Sequence, residues 1–309
     1  MPSAKLSKRK CLLSSVNNLA TLTILIENTA PEGKSLIAEH GLSFFVETSE
    51  TKFIFDCGHT GAAFDNAKLL NVDLSEIRFA VLSHSHYDHA GGFPKLLSFA
   101  PIEKVYTGEN FWEEKYSIRN EELEIRNYHG AKSIPHSSFL IPNCLYRGCG
   151  FDEKFLIERG IEQKICRDMI QLDEEAWLVG NFKRRYDFET IPKKFLRGEK
   201  KLPDDFSDEI VLVLREGDGL ALVTACSHVG ILNIVASVRE RFSLPIFTVI
   251  GGLHLTGATQ ERISLTLDGL KNLGVKKILP CHCSGEDFIK ICGEKISTGS
   301  VIKKLTANS

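Results

Sequence analysis

The segment that most restricts this chain is Phe79-Ala-Val-Leu82, which runs directly into Ser83-His-Ser-His-Tyr-Asp-His89 and then Ala90-Gly-Gly92. A short apolar strand thus delivers three imidazoles and one carboxylate within six residues. Neutral imidazole and carboxylate are the ligand types that suit zinc, iron and manganese. Side chains two apart on extended backbone point the same way, so His84 and His86 can grip one ion. Asp88 and His89 follow after the chain has turned and can face a second position beside it. A lone histidine would read as part of a solvated loop. The spacing H-x-H-x-D-H, leaving an apolar strand and entering Gly-Gly, reads as metal binding.

The rest of the pattern places this segment in a layered fold. Thr21–Ile26, Leu42–Glu47 and Lys52–Phe55 read as strands, with Thr48-Ser-Glu-Thr51 as a hairpin turn. Residues 62–70 have helical spacing, with Phe64, Ala67 and Leu70 on one face. After residue 208, strands at 209–214, 220–224, 246–250 and 277–279 alternate with helices at 230–241, 259–273 and 285–292. A hairpin-rich first half and an alternating second half predict an α+β architecture, an αβ/βα four-layer sandwich of two facing sheets with helices outside. Residues 1–20, with Lys5, Lys8, Arg9 and Lys10, read as a mobile basic tail, and 21–309 as a single domain. The stretch from about 108 to 206 is Lys-, Arg- and Glu-rich with scattered aromatics, and reads as an elaboration on the core.

Composition narrows the class of partner. A chain of 309 residues, 43% hydrophobic and 25% charged, can bury a sizeable core. A formal net charge of -2 lacks the basic excess of a nucleic-acid binder. No apolar run approaches the ~20 residues that span a bilayer, and the N-terminus is too polar for a secretory leader. Nine irregularly spaced cysteines fit reduced thiols in a reducing compartment. These features predict a cytoplasmic protein with a small-molecule substrate and neither nucleic-acid nor membrane partners; they leave the oligomeric state open.

Further residues bear on the site. His254 follows Gly251-Gly252, where the backbone can pass close to another group, and reads as a contact to substrate or transition state. Cys281-His-Cys283 has no second cysteine pair and is weak as a cluster motif. Lys183-Arg184-Arg185 and Lys200-Lys201 read as a solvated face, with a phosphate contact as the alternative.

The segment Leu82–Gly92 resembles the signature of the metallo-β-lactamase superfamily. Glu39-His-Gly-Leu-Ser43, Phe55-Asp-Cys-Gly58, Thr224-Ala-Cys-Ser-His-Val-Gly230, Gly251-Gly-Leu-His-Leu255 and Pro280-Cys-His-Cys-Ser-Gly285 are similar to the branch that includes dihydropterin–ribofuranosylaminobenzene phosphate synthase-like proteins. The resemblance covers roughly residues 21–108 and 205–295. It implies that His84 and His86, completed by His228, hold a first metal. Asp88, His89 and His282 would hold a second, with Asp88 also a candidate catalytic carboxylate beside His254. Asp56 would hold a ligand histidine from behind. Two departures from the family pattern stand out. The only Gly-His-Thr, Gly58-His59-Thr60, lies upstream of the signature and so falls outside the metal set. The usual bridging Asp is absent and Cys226 stands near its place, as a metal-binding thiolate or a buried neutral thiol.

The resemblance implies one or two divalent ions, zinc foremost, with iron or manganese as alternatives. The activity expected is hydrolysis of a small ester-, phosphoester- or lactone-like substrate, in which bound metal lowers the pKa of water toward ~7. The alternative is a pterin-linked transferase that displaces pyrophosphate. A redox or non-catalytic metal protein ranks below both, because oxygen-reducing di-iron relatives carry a Glu at the position of His86 and need a flavin partner domain.

Overall fold

The structure is a computed structural model that describes residues 20–118, 144–294 and 296–303; the basic tail expected at the N-terminus lies outside them apart from Ala20. Two sheets face each other. The first has seven strands in the order β17-β1-β2-β3-β4-β5-β8, and the second has six in the order β16-β15-β14-β13-β10-β9. Their ranges are β1 Thr21–Ile26, β2 Ser43–Glu47, β3 Lys52–Phe55, β4 Phe79–Val81, β5 Lys104–Gly108, β8 Glu162–Cys166 and β17 Val301–Ile302 for the first. The second contains β9 Met169–Gln171, β10 Ala176–Val179, β13 Val211–Glu216, β14 Gly219–Thr224, β15 Ile246–Gly251 and β16 Lys277–Pro280.

Alternation along the strands builds the layers. In β2 and β3, Phe44, Val46, Phe53 and Phe55 point inward and meet Leu212, Leu214, Ala221 and Val223 of the opposite sheet. Phe45 and Ile54 point the other way, onto Phe64 of α1 (Ala62–Leu69) and Phe93 of α3 (Phe93–Leu96). On the far side of the second sheet, Val213, Leu222 and Val249 pack against Ile234 and Val238 of α5 (Ile231–Phe242), Leu270 of α6 (Gln260–Asn272) and Phe288 of α7 (Glu286–Cys292). This is the predicted αβ/βα sandwich, with three apolar clusters separating four layers.

The stretch 108–206 contributes β8 to the first sheet, and β9 and β10 to the second. It also supplies β6 (Lys115–Ile118), β7 (Cys144–Tyr146), β11 (Phe195–Arg197) and β12 (Leu202–Pro203), which form a small sheet in the order β12-β11-β6-β7. That sheet abuts the signature loop through a bridge between Gly148 and His86. The strand expected at 209–214 starts at Val211, because the Glu209 carboxylate is drawn away to accept from the backbone N–H groups of His228 and Val229. Among the described residues no helix is long and apolar enough to cross a membrane, and the eight described cysteines are free thiols.

Candidate metal centre

The carboxyl ends of β3, β4, β14, β15 and β16 open onto one place. There the chain delivers Asp56, His84–His89, Cys226, His228, His254 and His282. Four of the non-glycine residues with left-handed backbone lie here: Asp56 (φ 59°), Ser227 (φ 61°), His254 (φ 52°) and His282 (φ 52°). Such backbone costs energy and persists only where the surrounding structure fixes it.

Asp56 organises two of the histidines. Its Oδ2 accepts from His89 Nδ1 at 2.8 Å and from the Ser83 hydroxyl at 2.7 Å, and that hydroxyl lies 2.9 Å from His84 Nδ1. Its Oδ1 accepts from Ser83 N at 2.7 Å. With Nδ1 donating on both rings, the Nε2 atoms of His84 and His89 face the site, as ligation demands. On the other side, Asn28 Oδ1 accepts from His282 Nδ1 at 3.0 Å while Asn28 Nδ2 donates to His282 O. His282 therefore also presents Nε2, and it faces His89 Nε2 at 3.1 Å. Two ring lone pairs at that separation need a cation or a proton between them.

The donors fall into two neighbouring sets. His84, His86 and His228 place one ligand atom each within 4.8 Å of one another, and His40, Asp88 and His282 do the same. Cys226 sits between the sets, grouped with His84 and His89, and its Sγ is 3.3 Å from His89 Nε2. Among the described residues, the buried His84 Nε2, His86 Nε2 and both ring nitrogens of His228 have no hydrogen-bond partner. An unsatisfied buried nitrogen costs about 1–3 kcal/mol, so several converging on one point fit a bound divalent ion. His254 lies beside His228, ring centroids 4.3 Å apart, and groups with Cys226 and His228. His59 packs edge-on to Tyr87 and belongs to none of the donor sets among the described residues.

The sequence matches the family described as the metallo-beta-lactamase superfamily over residues 36–136. The 7,8-dihydropterin-6-methyl-4-(beta-D-ribofuranosyl)-aminobenzene-5'-phosphate synthase of Methanocaldococcus jannaschii is 29% identical over 94% of this chain and 98% of its own length. An uncharacterized protein of the same organism is 27% identical over 85% and 90%. The crystal structure of a metal-dependent hydrolase of the beta-lactamase superfamily superposes with a TM-score of 0.71 at 25% identity, covering 92% of this chain and 98% of that one. The chain has the metallo-beta-lactamase fold and is similar to members of that superfamily.

Within that superfamily fold, several features of the site escaped the sequence reading. His40 and Asn28 reach the centre from the segment between β1 and β2. Glu209 braces the His228 backbone, and burial pushes its carboxyl up to about 7. Phe195 and Phe206 wall the first donor set, with Phe206 stacked on His228 at 3.9 Å. Of Cys281-His-Cys283, Cys281 belongs to the inter-sheet core, while His282 and Cys283 both group with Cys226. Lys183 and Arg185 both pair with Glu240 on the outer face, which favours the solvated-face reading of that run.

The two donor sets differ in protonation. Burial, reinforced by neighbouring imidazoles, holds His84, His86 and His228 well below the ordinary histidine range, so they are neutral at pH 7. Burial acts to lower His89 too, but Asp88 and Asp56 outweigh it and raise it to about 9. His89 is therefore protonated in the metal-free protein at neutral pH, and an ion taken up beside Asp88 must displace that proton. We expect loading of this position at pH 7–8 to release about one proton per chain. Its affinity should climb up to about tenfold per pH unit until pH ~9, while the His84–His86–His228 position stays nearly flat from pH 6 to 8. Calorimetric titration in buffers of different ionisation enthalpy reads this directly. Zinc uptake without proton release at both positions would contradict it.

Proposed function

We propose that this chain is a metal-dependent enzyme that hydrolyses a phosphoester-like bond in a small molecule. The observation that carries the reading is the convergence of unpartnered ring nitrogens, one carboxylate and one thiol at the strand ends. His84, His86 and His228 would hold one ion, and Asp88, His89 and His282 a second, with Cys226 between them. Bound there, divalent ions activate water and stabilise charge on a departing oxygen.

The chain's own residues shape the rest. Asp88 Oδ2 faces His40, His282 and His89 at 3.2, 3.4 and 3.7 Å. Burial would raise its pKa, but His89 and then His282 and His40 hold it well below the carboxylate range. Ionised and encircled, it suits a ligand better than a free general base. His254 stands at the edge of the first donor set, next to the half-buried Phe195 at 5.7 Å, where a substrate would enter. Its Nδ1 lacks a partner, which suits a hydrogen bond to substrate.

A second reading is favoured by the end-to-end likeness to the pterin-linked synthase: the same site would expel pyrophosphate while an arylamine, rather than water, takes the carbon. Zinc-loaded protein offered phosphoesters, lactones and a pterin pyrophosphate separates the two. Release that needs no acceptor supports the hydrolase, whereas pyrophosphate release only with an arylamine supports the synthase. In whichever assay turns over, His254→Ala should keep its metal on chelator titration and lose about 10²-fold in kcat/KM, the scale of a lost transition-state donor. Metal loss in that variant would make His254 a ligand instead.

A further inference from the structure

We infer that His40 is a protein ligand of the second metal position, completing a four-donor set with Asp88, His89 and His282. The inference rests on the reading of this cluster as a metal centre and adds a donor outside the family signature.

His40 belongs to Glu39-His-Gly-Leu-Ser43, a segment to which the family resemblance assigns no ligand. Its Nε2 lies 3.2 Å from Asp88 Oδ2, and its ring stacks on His282 at 5.0 Å and 27°. The ligand atoms of His40, Asp88 and His282 all lie within 4.8 Å of one another. The backbone on both sides of His40 is pinned. The Glu39 carboxylate accepts from His59 N, Thr60 N and the Thr60 hydroxyl, while Glu39 N donates to Glu27 O. Leu42 N donates to Asp88 O at 3.1 Å. A Cβ on Gly41 would come within 2.8 Å of that same Asp88 oxygen, so only glycine admits the loop this close to the ligand it serves. The segment is thus built against Asp88, and it carries an imidazole to the carboxylate oxygen that His282 and His89 also approach.

Donor count gives this placement a reason. No bridging carboxylate stands between the two donor sets among the described residues; Cys226 lies there, grouped with His84 and His89 and also with His282. The second position would otherwise hold Asp88, His89 and His282 with only a shared sulfur. An added imidazole restores four protein donors, the number that zinc prefers when its site is closed. His40 is also the one member on the solvent side: its side chain is 57% exposed, against 9% for Asp88 and 1% for His282. It is therefore the ligand that an incoming substrate group would displace with least disturbance.

The competing role is a hydrogen bond that merely orients Asp88. Two variants of this exposed residue separate the roles. His40→Ala removes both functions, and His40→Gln keeps a side chain able to donate to Asp88 but is a poor zinc ligand. Zinc content and chelator competition are measured on both, with the absorption spectrum of the cobalt(II)-loaded protein as an independent report on coordination. We expect both variants to keep the first ion and lose about tenfold or more in affinity for the second, since a lost ligand should cost at least what a lost outer partner does. The cobalt spectrum of the second position should change, and free imidazole should restore affinity to His40→Ala. Wild-type second-ion affinity in His40→Ala, or its restoration by His40→Gln, overturns the ligand assignment alone. A wild-type chain that takes up no second ion overturns it together with the two-ion centre.

Discussion

His84→Ala and His86→Ala are each expected to strip most of the bound metal and most of the activity while leaving the fold intact. In the proposed centre the two rings supply two of the three donors of the first position, and the described residues offer that position few substitutes. His228 would be the third donor, and His254, its neighbour, groups with His228 and Cys226 but not with His84 or His86. Loss of outer partners alone costs metal centres about 10–100-fold in affinity or activity, so loss of a ligand should cost at least that. Stability should respond in the opposite sense to intuition. Both Nε2 atoms are buried and have no hydrogen-bond partner among the described residues, and neither ring belongs to the three apolar clusters that hold the layers together. Truncation therefore removes an unsatisfied polar group as well as packing, and the metal-free variants should melt near the metal-free wild type. Metal analysis and thermal melts on the same preparations check both halves. Full metal content in either variant would remove the basis of the centre.

That prediction was open to a reader of the sequence, because its residues are contiguous and strand-coupled. β1 and β3 lie where their β-branched and aromatic alternation places them, and the signature leaves β4 as expected. His228 and His282 depended on resemblance, since isolated histidines at strand ends carry no spacing of their own. His40 had a motif but no ligand spacing; it becomes visible only when the turn before β2 is folded against Asp88. The reach of 108–206 was hidden for another reason. β8 reads Glu-Gln-Lys-Ile-Cys along the edge of its sheet, and β9 is three residues with two exposed. Such strands lack the period-two burial that marks a central strand. The same stretch conceals Lys115, whose acidic partners lie 89 and 93 residues away; no local pattern announces a pairing at that range.

Lys115→Met is the substitution expected to cost most stability without touching a donor. Its ammonium is 2% exposed and lies 2.8 Å from Asp208 Oδ1 and 2.9 Å from Asp204 Oδ2, both carboxylates being essentially buried. Burial acts to lower the lysine pKa, but Asp208 and Asp204 prevail and raise it, so the cation persists. Removing it strands two buried carboxylates, a loss of the kind that costs about 3–5 kcal/mol. At about 2–4 °C per kcal/mol for a large domain, the melting temperature should fall by roughly 10 °C. The damage should reach the metal centre by two routes. Asp208 Oδ2 accepts from Ser85 N at 2.9 Å, between the two signature histidines. The ammonium also sits 5.0 Å above the Phe206 ring, which stacks on His228. First-ion affinity should therefore weaken along with stability. Neutralising one stranded charge should recover part of the loss, so Lys115→Met/Asp204→Asn is expected to be more stable than Lys115→Met alone. The recovery should be incomplete, because Asp208 remains charged and unpaired behind the ligand loop. Denaturant melts of the single and double variants decide it: a single variant within about 1 kcal/mol of wild type, the range of a surface ion pair, would mean that water reaches the pair and that the clamp behind His84 and His86 lies elsewhere.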